Sequence, residues 1–138
     1  MAGPAIPEGL RRADLARARS RLKRQHAQLH QALTARTDTD QRTAVLRLVR
    51  VALDENGLSS AEASKTELVE RLDEQAWDLK DQVERGEAAQ DEYLSAFRRA
   101  RAASAWQALM HPMALDDAAY EAVHALPPGL DALSIISR

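Results

Sequence analysis

The chain has 138 residues, 45% of them hydrophobic and 29% charged, which is typical of one globular domain with its own core. Its net charge is only −2, and the absence of cysteine excludes disulfides, thiolate metal sites and cysteine nucleophiles in this chain. No apolar run reaches the roughly 18 residues that a membrane span needs, and no secretory signal is recognisable, so we expect a cytoplasmic protein.

The first predicted elements are an extended arm over residues 1–9 and a long helix over residues 10–36. Leu15, Leu22 and Leu29 recur every seven residues, a spacing that predicts a coiled-coil-like seam. Basic side chains flank this seam on both sides. Those that a nucleic-acid-binding surface would use are Arg11, Arg12, Arg17, Arg19, Arg21, Lys23 and Arg24.

The second predicted helix contains the most apolar stretch of the chain, AVLRLVRVAL over residues 44–53. Only Arg47 and Arg50 interrupt this stretch, so a helix here is apolar nearly all round. Such a helix has to be surrounded by other elements, and we therefore expect it at the centre of the fold. The three β-branched valines leave a strand as the alternative.

Capping signals indicate where this helix and the next one begin and end. Asp38, with Gln41 three residues later, is predicted to cap the second helix, and Gly57 is the residue expected just past its end. Ser59 and Glu62 form a further capping-box pattern, which predicts the start of the third helix.

Two further helices are predicted on either side of Gly86. The third has apolar residues at steps of three and four: Val69, Leu72, Ala76, Leu79 and Val83. The fourth covers residues 89–110, and its seam is Tyr93, Leu94, Phe97, Ala100, Ser104 and Ala108. A turn at Gly86 would let both seams share one core, so we expect a helical hairpin, with a single rod of about fifty residues as the alternative.

A short fifth helix over residues 116–126, a Pro-Pro-Gly spacer and an apolar tail complete the chain. The sequence thus predicts an all-α fold of four long helices, arranged as two helical hairpins around the second helix, plus a short C-terminal helix and tail. The bundle domain covers residues 10–126, and the spacer and tail cover residues 127–138. The tail packs on its own bundle or docks on another protein.

The charges are distributed unevenly along the chain. Residues 10–53 carry eleven basic and three acidic side chains, a net charge of +8, whereas residues 54–92 carry four basic and thirteen acidic ones, a net charge of −9. We expect these halves to neutralise each other within one bundle or between copies. A nucleic-acid-associated regulator that uses the basic first helix is the alternative.

No motif in the sequence predicts catalysis or a bound cofactor. His26 and His30 have the spacing of two metal ligands on one helix, but no third ligand lies near them in sequence, so no metal is expected. His124 is expected on the polar side of the fifth helix. A helical-bundle enzyme, or a metal-binding protein that uses the first two histidines, is kept as a second alternative.

The function that the sequence favours is a non-enzymatic interaction or assembly subunit that binds itself or another protein through apolar helix faces. Trp77 lies on an acidic helix face, and Trp106 lies on a second apolar face of the fourth helix. Such residues are typical contact anchors. The predicted contact residues are Trp77, Trp106, Met110, Leu133, Ile135 and Ile136.

Overall fold

The computed structural model describes residues 21–111 and 114–138, and all regular elements within these ranges are α-helices. The expected arm and residues 10–20 of the first predicted helix lie outside the described ranges. The helices are α1 (residues 21–25), α2 (Ala27–Thr34), α3 (Asp38–Glu55), α4 (Ser60–Ala63), α5 (Thr66–Glu84), α6 (Gln90–Leu109), α7 (Leu115–Ala125) and α8 (Ala132–Ile136). The predicted all-α class is confirmed, and no described helix is long and apolar enough to cross a membrane.

Helix α3 lies at the centre of the described fold. It packs against α7, α6, α8 and α2, so it has neighbours on most sides. Its buried side chains are Ala44, Val45, Leu48, Val49, Ala52 and Leu53. The apolar stretch is therefore a buried helix, as predicted, and the strand alternative is wrong.

Helices α6 and α7 form the most extensive helix pair among the described elements. Both helices are rich in buried alanine, and so small a side chain lets neighbouring helix axes approach closely. The fully buried alanines are Ala100, Ala102, Ala103 and Ala105 on α6, and Ala118, Ala119, Ala122 and Ala125 on α7. Ala102, Ala103 and Leu109 of the second apolar face of α6 are therefore covered within this chain, whereas Met110 on that face is exposed.

Helices α5 and α6 form a hairpin, and the alternative of one continuous rod is wrong. Gly86 in the connecting turn has a φ of +74°, a left-handed conformation that favours glycine. The amide of Glu87 donates to the carbonyl of Gln82 at 2.7 Å, which closes the end of α5.

The signals that end α3 and start α4 are confirmed. Gly57 has a φ of +66°, and the amide of Leu58 donates to the carbonyl of Leu53 at 3.0 Å. The hydroxyl of Ser59 accepts from the amide of Glu62 at 3.1 Å, and the Glu62 carboxylate accepts from the Ser59 amide at 3.4 Å. Both ends are fixed by residues close together in sequence.

The cap of α3 lies one residue earlier than predicted. Thr37 has an extended backbone, and its hydroxyl accepts from the amide of Asp40 at 3.2 Å. Asp38 is instead the first helical residue, where its negative charge favours the helix N-terminus. Gln41 donates to the carbonyl of Arg36 at 3.0 Å and forms no capping box.

The first predicted helix is interrupted at His26, whose φ of −136° and ψ of 58° are not helical. Helices α1 and α2 are separate as a result, and the predicted seam is not continuous, although Leu22 and Leu29 are both buried. The imidazole of His26 packs edge-on against Tyr120 and His124 of α7. This tertiary contact accompanies the break.

The third predicted helix is also divided, at Ser64 and Lys65, into α4 and α5. Side chains of α6 bind the polar groups at this break. The indole N–H of Trp106 donates to the Ser64 hydroxyl at 2.8 Å. The amide of Gln107 donates to the carbonyls of Ala63 and Lys65 at 3.2 and 3.0 Å.

The tail forms α8 and packs on its own bundle. Ile135 and Ile136 are buried in the core cluster. Arg36 and Arg47 both donate to the carbonyl of Ile136, at 3.1 and 3.2 Å, and so bind the C-terminal end of α8.

Candidate interaction site

Half of the α5–α6 hairpin extends beyond the buried core. Ala76 on α5 and Ala100 on α6 are buried, but between them no residue from Trp77 to Arg99 is buried, and all of these residues are described. We call residues 77–99 the distal hairpin. Its apolar side chains are covered only in part, by each other, so this half of the hairpin is a surface feature of the molecule.

A cleft of about 280 Å³ opens between α5 and α6 at the base of the distal hairpin. We call it the aromatic cleft, and it is lined by Asp73, Ala76, Trp77, Tyr93, Phe97 and Arg101. Three of the five Trp, Tyr and Phe residues of the chain therefore line one small cleft. The rings of Tyr93 and Phe97 lie with their centroids 6.1 Å apart.

Trp77 stands on the α5 side of the aromatic cleft and is 64% exposed. The ammonium of Lys80 lies 5.0 Å from the centroid of its ring, a cation–π contact. Tryptophan is highly buried on average, and exposed tryptophans beside clefts are typical anchors of protein interfaces. The predicted contact residue Trp77 thus lies on an open surface.

Arg101 forms the inner end of the aromatic cleft and joins three helices. Its guanidinium donates to Asp73 of α5 and, at 2.9 Å, to Glu121 of α7. The same guanidinium lies 5.7 Å from the centroid of the Phe97 ring. These contacts fix the walls of the cleft relative to α7.

The pKa values of this network reflect both burial and ion pairing. Burial raises the pKa of Glu121 above its ordinary value, although Arg101 acts in the opposite direction. Burial alone would lower the pKa of Arg101, but Glu121 and Asp73 outweigh it and raise that pKa. Because its charge is already matched by two carboxylates, Arg101 does not offer the cleft a binding site for an anion.

The outer face of α5 is strongly acidic. Six of its acidic side chains are exposed: Glu67, Glu70, Glu74, Asp78, Asp81 and Glu84. None of them belongs to the ion pairs formed among the described residues. None of those ion pairs joins the basic stretch 10–53 to the acidic stretch 54–92. The expected neutralisation of one half by the other is therefore not found in the described part of the bundle.

The predicted contact residues Trp106 and Met110 lie apart from the aromatic cleft. Trp106 is half-buried and is bound to Ser64, so it serves the junction of α4 and α5. Met110 is 52% exposed at the end of α6. It lies about 20 Å along the helix axis from Phe97, so the two exposed sites do not form one patch.

The three tail residues predicted as partner contacts are placed differently. Ile135 and Ile136 are only 1% and 2% exposed, because they complete the core of this chain. They are therefore core residues and offer no surface to a partner while the tail is docked. Leu133 is half-buried and packs against the same core.

The basic residues of the alternative nucleic-acid surface are only partly described. Arg11, Arg12, Arg17 and Arg19 lie outside the described ranges. Arg21 is bound to Asp117 at 2.6 Å and lies 4.7 Å from the centroid of the Tyr120 ring. Lys23 and Arg24 are exposed. No continuous basic surface is seen in the described part of the first helix.

The histidine that pairs with His26 is His124, not His30. Their Nε2 atoms lie 3.3 Å apart. His26 also lines a larger cleft, of about 560 Å³, between the α1–α2 junction and the start of the tail. Burial lowers the pKa of both imidazoles, and that of His124 is lowered further by His26, Arg101 and Arg21. Among the described residues, no three His, Asp or Glu side chains are grouped as metal ligands.

The sequence pattern identifies one wall of the aromatic cleft but not the residues that face it. Tyr93, Phe97 and Arg101 follow one another at steps of four, so the sequence does place them on one stripe of α6. It does not reveal that Trp77 and Asp73 face this stripe, because that depends on the register set by the turn at Gly86.

Comparison of the chain with protein-family models, with curated proteins and with solved structures found no match.

Proposed function

We propose that this protein is a non-enzymatic interaction subunit that binds a helix of another protein in the aromatic cleft. The observation that supports this proposal is the gathering of Trp77, Tyr93 and Phe97 at one open cleft, on a hairpin half that has no buried residue. A chain with five aromatic residues leaves three of them incompletely covered at one place.

The shape of the aromatic cleft suits a helix. Tyr93, Phe97 and Arg101 form one wall at steps of four residues, and Asp73 and Trp77 form the facing wall at the same step. Two antiparallel walls of this kind make a groove into which an amphipathic helix can lay its apolar face. The added helix would complete a three-helix arrangement around the distal hairpin.

Burial of the exposed indole favours such a complex energetically. A large aromatic side chain covers about 150–250 Å² of surface, and each Å² of apolar surface removed from water contributes about 25 cal/mol. Trp77 is mostly exposed in the free chain, so a partner that covers it gains most of this energy. This is the usual basis of an interface hot spot.

The charged groups of the aromatic cleft favour binding over catalysis. Asp73 and Arg101 are bonded to each other, and Arg101 is also bonded to Glu121. Neither charged side chain is therefore placed to transfer a proton to or from a bound molecule.

The proposal is tested with tagged wild-type protein, the Trp77→Ala variant and the Met110→Ala variant. Proteins captured from the source cells are identified and purified, and their dissociation constants are measured by calorimetry. We expect Trp77→Ala to weaken binding by about 30-fold or more, as loss of a hot-spot residue does. Met110→Ala is the matched control, because Met110 is also exposed but lies far from the cleft.

The proposal is wrong if every partner binds the folded Trp77→Ala variant as tightly as the wild type. Circular dichroism of the variant checks that it is folded.

A further inference from the structure

The walls of the aromatic cleft carry different charges, and this difference specifies the partner. We propose that the bound partner is an amphipathic helix with basic side chains along the flank that faces α5 and uncharged side chains along the flank that faces α6. This inference rests on the proposed function and describes the partner of the same cleft.

The α5 wall is acidic. Helix α5 carries seven acidic and two basic side chains, a net charge of −5. The charged residues one or two turns from Trp77 on the same face are Glu70, Asp73, Glu74, Lys80, Asp81 and Glu84. Of these acids only Asp73 is in an ion pair among the described residues, with Arg101. Four carboxylates therefore border the exposed indole with no cation of the described chain bound to them.

The α6 wall has no free charge. The residues one or two turns from Phe97 on the same face are Gln90, Tyr93, Leu94, Ala100, Arg101 and Ser104. Arg101 is the one charged member of this set, and its two carboxylate partners match its charge. A helix lying in the cleft would meet unneutralised carboxylates on one side only.

This asymmetry acts mainly on the choice of partner. Exposed ion pairs each add little to affinity, but like charges placed opposite each other are unfavourable and discriminate against the wrong partner. The apolar stripe of the partner would provide most of the affinity through Trp77, Tyr93 and Phe97. The four carboxylates beside Trp77 that form no ion pair with a described residue are called the acidic rim, and they belong to Glu70, Glu74, Asp81 and Glu84. This rim would repel an acidic helix and also the phosphates of a nucleic acid.

Three labelled synthetic peptides test the inference. All three have the same apolar stripe at helical spacing and the same neutral second flank. The residues of the first flank are lysine in one peptide, glutamine in the second and glutamate in the third. Binding of each peptide to the full chain is measured by fluorescence anisotropy at low and at high salt.

We expect the lysine peptide to bind about tenfold more tightly than the glutamine peptide at low salt, because several exposed ion pairs each add a small increment. The glutamate peptide should bind most weakly. Salt screens exposed charges, so the advantage of the lysine peptide should shrink at high salt. Trp77→Ala should weaken the binding of the lysine and glutamine peptides by about 30-fold.

Two variants with the same change of net charge show where the preference arises. The rim variant should lose the preference for lysine and keep its affinity for the glutamine peptide; it combines Glu70→Gln, Glu74→Gln and Asp81→Asn. The control variant neutralises three exposed acids of α3 and should keep the preference; it combines Asp40→Asn, Asp54→Asn and Glu55→Gln.

Equal binding of the lysine and glutamate peptides, with both weakened by Trp77→Ala, would overturn the inference and leave the proposed function standing. Lysine-peptide binding that Trp77→Ala leaves unchanged would also overturn it, since exposed charge alone would then explain the attraction. Failure of all three peptides to bind counts against it in the same way, whereas the capture experiment decides the proposed function separately. Light scattering provides a further check: a dimer that Trp77→Ala dissociates would make a second copy of this chain the occupant of the cleft and would overturn the inference.

Discussion

Glu121 is the one charged side chain among the described residues that is buried, with 8% of its surface exposed. A buried carboxylate is stable only when a cation and hydrogen bonds replace the water that it loses. Arg101 supplies both from the neighbouring helix. The charge of Arg101 is therefore required by the core, even though the same side chain also lines the aromatic cleft.

Replacing Arg101 by methionine should lower the free energy of unfolding by about 3 kcal/mol at pH 7.5, because Glu121 would be left buried without a counter-charge. The pKa of Glu121 is already raised by burial, and loss of Arg101 would raise it further. The folded variant would then take up a proton more readily than the unfolded chain, so its deficit should be smaller at pH 5. Urea unfolding at both pH values measures this.

The Glu121→Gln variant is the control for this experiment. Its amide oxygen can still accept from Arg101, so the expected cost is only about 1 kcal/mol. Equal losses in the two variants, or a deficit of Arg101→Met that does not change with pH, would contradict the assignment.

The pair of His26 and His124 should make the stability of the fold depend on pH. Burial lowers the pKa of both imidazoles, so the unfolded chain takes up protons near pH 6.5 that the folded chain does not. Stability should therefore fall as the pH decreases through that value. In His124→Gln this fall between pH 7.5 and pH 5 should be smaller, as measured by urea unfolding.

The groups that face these imidazoles are present in both proteins. Tyr120 of α7 packs against both imidazoles and donates to Gln25 of α1, and Arg101 of α6 and Arg21 of α1 act on His124. The titration of carboxylates elsewhere is also common to both, so the difference between the two proteins isolates the histidine. An unchanged pH dependence in the variant would mean that the pair does not resist protonation.

Helix boundaries are predictable where neighbouring residues determine them. Gly57 and the pair of Ser59 and Glu62 act within one turn of the chain, and the sequence identifies all three. The breaks at His26 and Ser64 are different, because His124 and Trp106, which bind there, are 98 and 42 residues away in sequence. A periodicity pattern contains no information about such partners.

The sign of the stability change caused by a substitution in the turn between α5 and α6 distinguishes a hairpin from a continuous helix. Alanine at Gly86 should destabilise the protein by about 1 kcal/mol, because its φ of +74° is unfavourable for a residue with a Cβ. In a continuous helix the same change would stabilise by a similar amount. Thermal unfolding of Gly86→Ala measures the sign.

Space is not the cause of this expected cost, because a Cβ at Gly86 would have no neighbour within 4 Å. Asparagine tolerates the left-handed conformation better than alanine does, so the stability of Gly86→Asn should lie between that of the wild type and that of Gly86→Ala. A stabilising Gly86→Ala substitution would contradict the hairpin.

The stability of the whole bundle depends on its tail, because α8 contributes two large buried side chains, Ile135 and Ile136, to the core. Removal of residues 130–138 should lower the free energy of unfolding by about 4 kcal/mol, as burial of Ile135 and Ile136 contributes about 2 kcal/mol each. Arg36 and Arg47 would also lose the carbonyl that they bind. Thermal unfolding followed by circular dichroism measures the loss.

A shorter truncation is the control for this prediction. Removal of residues 137–138 alone takes away only exposed side chains and should change the stability by less than about 0.5 kcal/mol. If the longer truncation also left the melting temperature unchanged, the tail would not belong to the core.

The overall plan of the molecule follows from the sequence more fully than the candidate site does. The apolar circumference of residues 44–53 is enough to predict a central helix, and the steps of three and four from Val69 to Val83 predict the α5 seam. The aromatic cleft requires the relative register of two helices. One exposed tryptophan is recognisable from the sequence, but its neighbours across the hairpin are not.

The contact between α6 and α7 has a consequence for how this protein tolerates mutation. In most cores the largest side chains are the least replaceable, but eight of the core residues of α6 and α7 are fully buried alanines. An additional methyl group at any of these positions forces neighbouring helices apart or strains a side-chain rotamer. The typical loss of folding stability is about 1–3 kcal/mol. A saturation library should therefore find its most intolerant positions among these alanines. Only glycine, which is smaller, and serine, which is nearly the same size, would fit in their place. Substitutions that increase hydrophobicity there would be selected against as strongly as polar ones.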